Sequence, residues 1–394
     1  MATALDSWFA QDASRLMDQV YLVQRNKGRV SALMRKGELQ EGVGYNYVTL
    51  VSQRPYDPRT YNWSAVQADS GQTNICVPNQ DTISFPSNQL AYQAYQRLVR
   101  SDPICFEDAR RGYLFKQQVA NAQMGLVQLI VDAWEDQDKA QYFLNAGHKI
   151  VANAQQTDYV NSSNFGTALP TSRLTQGLLD NVYMQFIQDG AGVGQGAVGM
   201  VDGAPQFTLV CSMERKRDVI KADADVRQDF RFAQMGEDKD AELLKAWGSD
   251  YAYGGFLYVI DNRMPRWTFE GGQWVQQPYY ISATASNGKP YAKLNPSYVS
   301  APYEDVYLWN PLVVKRLMPR PMGSAGADTR FNPVNWNGQI LWKNIPSETE
   351  NPLSNIGRWY APMMAAWEPA ITQYGAVIRV QRCPSSALNP CVGY

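Results

Sequence analysis

Apolar residues recur at spacings of three and four along one stretch of the chain: Phe115, Val119, Ala122, Leu126, Leu129 and Ala133, widened by Ile130 and Trp134. That spacing predicts an amphipathic helix. Upstream, Ser101-Asp102-Pro103 reads as an N-cap followed by proline at the first helical position. Downstream, Asn145-Ala146-Gly147 reads as a stop. A continuous helix between these signals would hold about 40 residues and span roughly 60 Å at 1.5 Å per residue. Gly112 and Gly125 are the places for a bend or break. With one apolar face marked, the helix is expected to lie across a sheet and not to pass through a core. A second helix is predicted over 172–188, with Leu174, Leu178, Val182 and Phe186 on one face, and a third from Ser212 to about Met235.

The remaining apolar runs are short and strand-like: Phe207–Cys211, Gly255–Ile260, Val306–Trp309, Gln339–Lys343, Ile356–Ala366 and Tyr374–Val380. Stretches rich in Pro, Asn and Gly link them, and no internal repeat is present. Earlier in the chain, Gly42 and Gly44 lead into the strand-like run Tyr45–Val51. A turn-rich tip follows at Arg54–Arg59, with returning strands expected at Asn74–Val77 and Ile83–Phe85. This long hairpin has few candidates for a core of its own, and an isolated two-stranded hairpin is marginal in water. It is expected to pack on the rest of the chain or on a neighbour. Residues 1 to about 40 read as an arm, with six basic residues between Arg15 and Lys36 against Asp18 alone. A solvated terminal helix competes evenly there with an arm that lies on a neighbouring subunit or faces nucleic acid. The class is α+β.

Composition narrows the function. The 394 residues carry 36 Lys+Arg against 37 Asp+Glu, for a net charge of -1. Balanced charge argues against a dedicated nucleic-acid binder. No apolar run reaches the roughly 18 residues of a membrane span, and the N-terminus has neither the basic nor the apolar region of a secretory signal. Charged residues are only 19% and aromatics 12%, with 23 Tyr, 11 Trp and 55 Asn plus Gln. Tyr and Trp concentrate where one end of a side chain is buried and the other wet. A polar, neutral, aromatic surface suits a protein that contacts copies of itself, although a carbohydrate binder would look similar.

Candidate chemistry is sparse. Gly194-Gln-Gly-Ala-Val-Gly199 matches G-x-G-x-x-G, but it follows a helix and precedes a strand, the reverse of a dinucleotide site. The one histidine, His148, has no local nucleophile motif beside it and reads as a capping or exposed residue. Asp132, Glu135, Asp136 and Asp138 lack calcium-loop spacing and have Lys139 beside them; a solvated face is the expectation, with interface salt bridges second. Asp223 and Asp225 read the same way. Arg215-Lys-Arg217 is too short to argue for nucleic-acid binding. The five cysteines are scattered, odd in number and without metal spacing, which points to reduced thiols. No catalytic, cofactor-binding or metal constellation emerges.

The order of elements then carries a resemblance. Arg29–Arg35 through Tyr45-Asn-Tyr-Val-Thr-Leu is similar to the arm and extended E-loop of the tailed-bacteriophage major capsid proteins of the Hong Kong 97 type. Pro103–Gly147 resembles their spine helix. Phe207–Phe232 and Gly255–Pro265 resemble the core of their axial domain. The most specific pieces are Phe331–Asn344, Asn351–Gly357 and Glu368–Ile378, which are similar to the closing β-region of that family.

The resemblance implies an α+β phage capsid fold. Residues 1–40 would be the N-terminal arm, 41–85 the E-loop hairpin, and 86–150 a peripheral domain with the spine helix. An axial domain would span 151–330, and 331–394 would supply C-terminal strands that return to the peripheral domain. It implies a non-enzymatic subunit, without cofactor or metal, that self-assembles through hexamers and pentamers into an icosahedral shell. Tyr45, Tyr47, Arg54, Arg59, Tyr61 and Trp63 would make subunit contacts from the E-loop. The shell would enclose double-stranded DNA without specific binding, and near-neutral charge suits that task, since a basic lining would hold the genome too tightly. The location implied is the virion, assembled in the host cytoplasm, with no membrane.

Two departures from the family pattern matter. Some relatives carry a scaffolding region ahead of the arm; this chain opens on Met1 with no length for one, so a separate scaffolding protein is expected. A portal and decoration proteins are the further partners that the resemblance admits. Some relatives also cross-link through an E-loop lysine, but no lysine occurs between Gly37 and Phe115, so that chemistry is expected to be absent. The rivals are an encapsulin-like compartment that packages an enzyme, and a carbohydrate-binding protein or enzyme that uses the Tyr/Trp-rich region around 267–309.

Overall fold

A computed structural model of the chain describes residues 30, 33–38, 47–51, 87–91, 94–101, 104–105, 113–153, 165–188, 199–201, 204–222, 251–253, 255–284, 286, 290–318, 341–344, 356–369 and 372–382. In chain order, the first strands are β1 (Arg35–Glu38), β2 (Tyr47–Val51), β3 (Ser87–Ala91), β4 (Ala94–Arg100) and β5 (Ile104–Cys105). Helix α1 (Tyr113–Asn145) leads into β6 (His148–Val151), and α2 (Gln176–Gln188) into β7 (Gly199–Val201) and β8 (Ala204–Cys211). After α3 (Met213–Ala222) come β9 (Tyr251–Tyr253), β10 (Phe256–Ile260), β11 (Arg266–Glu270), β12 (Gln273–Gln277), β13 (Tyr280–Thr284) and β14 (Pro290–Leu294). The short α4 (Pro296–Ser300) precedes β15 (Tyr303–Trp309), β16 (Val314–Met318), β17 (Leu341–Asn344), β18 (Ile356–Pro369) and β19 (Ala376–Gln381). The fold is α+β.

Two large sheets organise the described residues. A six-stranded sheet is built on β18, the longest strand, which pairs with β16 and β17 and also takes β4 and β5; β1 joins β16 in parallel. A nine-stranded sheet runs β6–β19–β15–β8–β10–β9. Strand β15 gives its first residues to the β11–β12 hairpin and its last to β8, and β7 pairs with the start of β8. Strands β8 and β10 are parallel, so α3 lies in a crossover between them. Two ribbons, β2–β3 and β13–β14, each form a sheet of their own.

The long helix runs 33 residues, or about 50 Å, and its two halves do different things. Val119, Ala122, Leu126, Val127, Ile130 and Val131 pack on Val99, Ile104, Trp359, Ala361 and Met363 of the six-stranded sheet. This half lies across a sheet, as its pattern predicts, although Leu129 of the expected stripe is 48% exposed. The second half enters the larger core, where Tyr142 and Ala146 pack among residues of both sheets, and Trp134 touches both cores. The expectation that the helix avoids a core is therefore corrected for its last three turns. Burial there is carried by aromatic and charged residues, which a scan for aliphatic periodicity passes over.

Three other expectations change. The helix does not begin at Ser101-Asp102-Pro103: Ile104–Cys105 is a strand on β18, and Ser101 exchanges hydrogen bonds with the Trp359 backbone across the sheet. Tertiary pairing outcompetes the local N-cap signal. The end of the arm is not free: Val30 and Met34 are buried in the larger core, and β1 pairs in the six-stranded sheet. The base of the long hairpin pairs Val51 with Ser87, so its return strand is Ser87–Ala91; the returns expected at 74–77 and 83–85 lie outside the described residues. So do residues 1–29 of the arm, Gly112, Asp223, Asp225, and the third helix beyond Ala222. Gly125 sits inside an unbroken helix.

Candidate functional site

The chain passes between the two sheets at one place, the C-terminal end of α1. There α1 turns into β6, β15 runs on into β16, and β18 leads to β19. Tyr142 holds the three passages together. Its ring stacks on Trp309 at 4.0 Å between centroids, its hydroxyl donates to the Leu308 carbonyl oxygen, and the Asn310 N–H donates to that hydroxyl at 3.1 Å. Burial pushes the phenol well above its usual range, so it stays protonated as a donor. Glycine is required beside it: a Cβ at Gly147 would sit 2.7 Å from the Thr372 carbonyl oxygen, and the Gly147 N–H donates to that same oxygen. The expected helix stop thus also makes a close backbone approach.

Around this crossing, charged side chains are buried in pairs. On α1, Lys139 bridges Glu135 at 3.2 Å and Asp261 at 2.5 Å, and donates to the Arg263 carbonyl oxygen. Glu135 also accepts from the Val30 N–H at 3.1 Å, which fastens the root of the arm. Burial alone would lower the Lys139 pKa; the two carboxylates outweigh it and raise the value. Burial likewise opposes the Asp261 charge, and Lys139 overcomes it and lowers the carboxyl pKa. One turn back, Asp132 pairs with Arg263. Facing the other sheet, Asp138 accepts from Arg316 at 2.6 Å and from the Trp367 indole at 2.8 Å, while Arg316 lies over Trp134.

Two further clusters brace the nine-stranded sheet. Glu304, fully buried, meets Arg266 at 3.1 Å and the Ser212 hydroxyl. Glu214 is held by Arg382 at 2.6 Å; burial favours its neutral form, but Arg382, Arg266 and Arg215 together lower its pKa. Asp305 takes a two-pronged contact from Arg379 at 2.8 and 3.2 Å and an indole N–H from Trp267 at 2.6 Å. The Arg379 guanidinium is boxed by the rings of Trp274, Phe165 and Trp267 at 4.3 to 4.5 Å.

Each of these carboxylates is engaged by a cation. Among the described residues no group of three or more His, Cys, Asp or Glu could hold a metal ion, and no helix is long and apolar enough to cross a membrane. What the arrangement does is mechanical. Breaking one partner of a buried pair costs about 3–5 kcal/mol, so helix, arm root and both sheets resist separation at the crossing.

No family model matches the chain, and no curated protein does. Solved structures do. The likeness is to shells. The chain is similar to the capsid of cyanophage Pam1 (TM-score 0.49, 11% identity, covering 90% of this chain and 92% of that one). It is also similar to the capsid of Ralstonia phage GP4 (TM-score 0.47, 11% identity, 90% and 89% covered). A third likeness is to the SrpI encapsulin complex of Synechococcus elongatus (TM-score 0.40, 8% identity, 90% and 88% covered).

Of the expected contact residues, Tyr47 opens β2 opposite Ala91; Tyr45, Arg54, Arg59, Tyr61 and Trp63 lie outside the described residues. The carboxylate cluster of α1 is corrected. Glu135 and Asp138 are buried and Asp132 is half-buried, so only Asp136 keeps to a solvated face. Arg215 is likewise a buried brace and not a surface charge, paired with Asp218 at 2.7 Å. His148 is half-buried in β6, its Nε2 3.0 Å from the Gln373 carbonyl oxygen and its ring beside Phe186. Gly194–Val198 lie outside the described residues, and Gly199 starts β7. Cys211 is a buried thiol in the core. Trp267, Trp274, Tyr307 and Trp309, candidates for a carbohydrate platform, are spent on internal packing. Sequence reading missed Arg316, Arg379 and the Glu304-Asp305 pair. The signal was there: a charge set inside an apolar strand, as in Ala376-Val-Ile-Arg-Val380.

Proposed function

We propose that the chain is the major capsid protein of a tailed double-stranded DNA bacteriophage, of the Hong Kong 97 type, and has no enzymatic activity. One observation carries the reading. A 33-residue helix is locked by buried ion pairs to two sheets, while the β2–β3 hairpin pairs only with itself among the described residues. A stiff wedge with a marginal projecting hairpin is what a shell subunit needs: the hairpin gains stability by packing on an adjacent subunit. In this reading α1 is the spine helix, residues 41–85 the E-loop, and Tyr45, Tyr47, Arg54, Arg59, Tyr61 and Trp63 its contact residues. The peripheral domain is built on residues 86–150 with the strands of 331–394, the axial domain on 151–330, and the arm on 1–40. Two strands cross these limits: β16 pairs with β18, and β19 pairs with β15. The partners are other copies in hexamers and pentamers, a separate scaffolding protein, a portal and decoration proteins, and the shell is assembled in the host cytoplasm around DNA that it does not bind specifically.

Purification with sizing and negative-stain imaging, with and without a co-expressed scaffold, tests the reading. Shells, or rings that close into shells, are expected. A folded monomer under both conditions would refute it. Deleting Tyr45–Ile75 should leave a folded subunit that forms no shells, and normal assembly of that deletion would exclude the E-loop role. Shells that carry an enzyme in place of DNA would favour the encapsulin-like alternative.

A further inference from the structure

Glu368 is a buried carboxyl that the fold leaves unsatisfied. It lies near the end of β18, only 2% exposed, and neither of its side-chain oxygens has a hydrogen-bond donor. Buried carboxylates elsewhere are treated differently: Glu135, Asp138, Asp261, Glu304 and Asp305 each meet a cation within 3.2 Å.

Three strands meet at this carboxyl. In backbone register Glu368 of β18 lies opposite Lys315 of β16, and Lys315 lies opposite Arg35 of β1. Among the described residues β1 is an edge strand that pairs only with β16, and β16 meets β18 over Val314–Leu317. The strand at the root of the arm thus reaches β18 through one short ladder. The neighbours of this rung face the other way: Arg316 and Trp367 turn to α1, where both bond Asp138. On its second side β18 leaves β4 at Ala366, opposite Ala94, so no charge arrives from there. The charged group that acts on Glu368 is Lys315, and it gives the carboxyl no hydrogen bond. Burial pushes the carboxyl up to about 7, and Lys315 offsets only part of that. Without a donor, an ionised carboxylate is costly to keep from water.

From this geometry we infer that the Glu368–Lys315 rung is a proton-operated latch on the root of the arm. With the carboxyl neutral the rung stays closed; with the carboxyl ionised, β1 and β16 part from β18 more readily, because parting admits water to the charge. A parted rung lets Glu368 titrate near its ordinary 4.5, whereas the closed rung holds the proton to about 7. Opening is therefore rarest below 4.5, grows about tenfold per pH unit between those two values, and levels off above them. The latch belongs to the single subunit and operates whether or not copies assemble.

Amide hydrogen exchange of the unassembled full-length subunit tests the latch, with rates corrected for the intrinsic effect of pH on exchange. Wild type, Glu368→Gln and Lys315→Met are compared at about pH 5 and about pH 7.5, with β8 and β10 of the other sheet as the reference. In the wild type, β1 and β16 should exchange sooner than β8 and β10, and should lose protection at least tenfold between the two pH values. Glu368→Gln stays neutral and should keep its protection at both. Lys315→Met removes the attraction for the ionised carboxyl and should widen the loss. Equal protection at both pH values in the wild type, or a loss that persists in Glu368→Gln, would overturn the proposal. So would exchange of β1 and β16 only in step with β8 and β10, because the strands would then part only when the whole subunit unfolds. Should Glu368→Gln misfold, Lys315→Met decides: a wider loss supports the latch and an unchanged one overturns it.

Discussion

Replacing Asp138 by alanine isolates the joint between the long helix and the six-stranded sheet. The carboxylate is fully buried, accepts from Arg316 at 2.6 Å and from the Trp367 indole at 2.8 Å, and Arg316 is itself buried over Trp134. Asp138→Ala removes both interactions and leaves the guanidinium without that carboxylate in a site shut off from water. Loss of one partner of a buried pair costs about 3–5 kcal/mol, and an indole N–H left without its acceptor adds about 1–3 kcal/mol. The two effects share one site and do not simply add, so about 4 kcal/mol is expected. Arg316→Met keeps an apolar stem against Trp134 while it removes the charge. The double variant Asp138→Ala/Arg316→Met should therefore recover most of the loss, with a coupling of about 3 kcal/mol, because a buried pair replaced on both sides is often close to neutral. Urea unfolding of the unassembled subunit, followed by tryptophan fluorescence, measures all four corners of the cycle. A cost below about 1 kcal/mol for Asp138→Ala, or a double variant as unstable as the sum of the singles, would refute the argument that this pair fastens the helix.

Three further outcomes follow from single sites. Glu368, 2% exposed and opposite Lys315 in the β16–β18 pair, has its carboxyl pushed up to about 7 by burial, which Lys315 only partly offsets. A carboxyl raised in this way makes the folded state most stable below its unfolded value of 4.5, with stability lost as pH rises towards 7. Glu368→Gln should therefore stabilise the subunit by about 2 kcal/mol at pH 8 and change little at pH 4.5; equal effects at both, in denaturant titrations, would contradict the assignment. A pair of glycines should respond with opposite signs in thermal melts. Gly125 lies in the long helix with nothing within 4 Å of an added Cβ, so Gly125→Ala should stabilise by about 1 kcal/mol. Gly255 has φ of 82° and an added Cβ would lie 2.5 Å from the Tyr183 ring, so Gly255→Ala should destabilise by about 2 kcal/mol.

Much of the fold could be read along the chain because its signals are local. The aliphatic period of three and four marks the first half of α1, since that half buries one stripe on one sheet. Short β-branched and aromatic runs mark β8, β10, β15, β18 and β19, since strands buried on both faces need continuous apolar sequence. The helix stop at Gly147 was legible for the same reason.

Other features were decided only when distant segments met. Ser101-Asp102-Pro103 has the chemistry of a helix start, yet pairing with β18 takes Ile104–Cys105 into the sheet, and no local signal reports that competitor. The charges on α1 look like a solvated face when Asp132, Glu135, Asp136 and Lys139 are read in order. Three of these four are engaged by Asp261, Arg263 and Val30, which come from segments more than a hundred residues away. Charge in the sequence says that a group will be ionised in water; whether it can stay ionised inside depends on a counter-charge that only the tertiary fold supplies. The sequence by itself thus determined the elements, their order and the class of the fold. The tertiary structure decided where they cross and which charges lock that crossing.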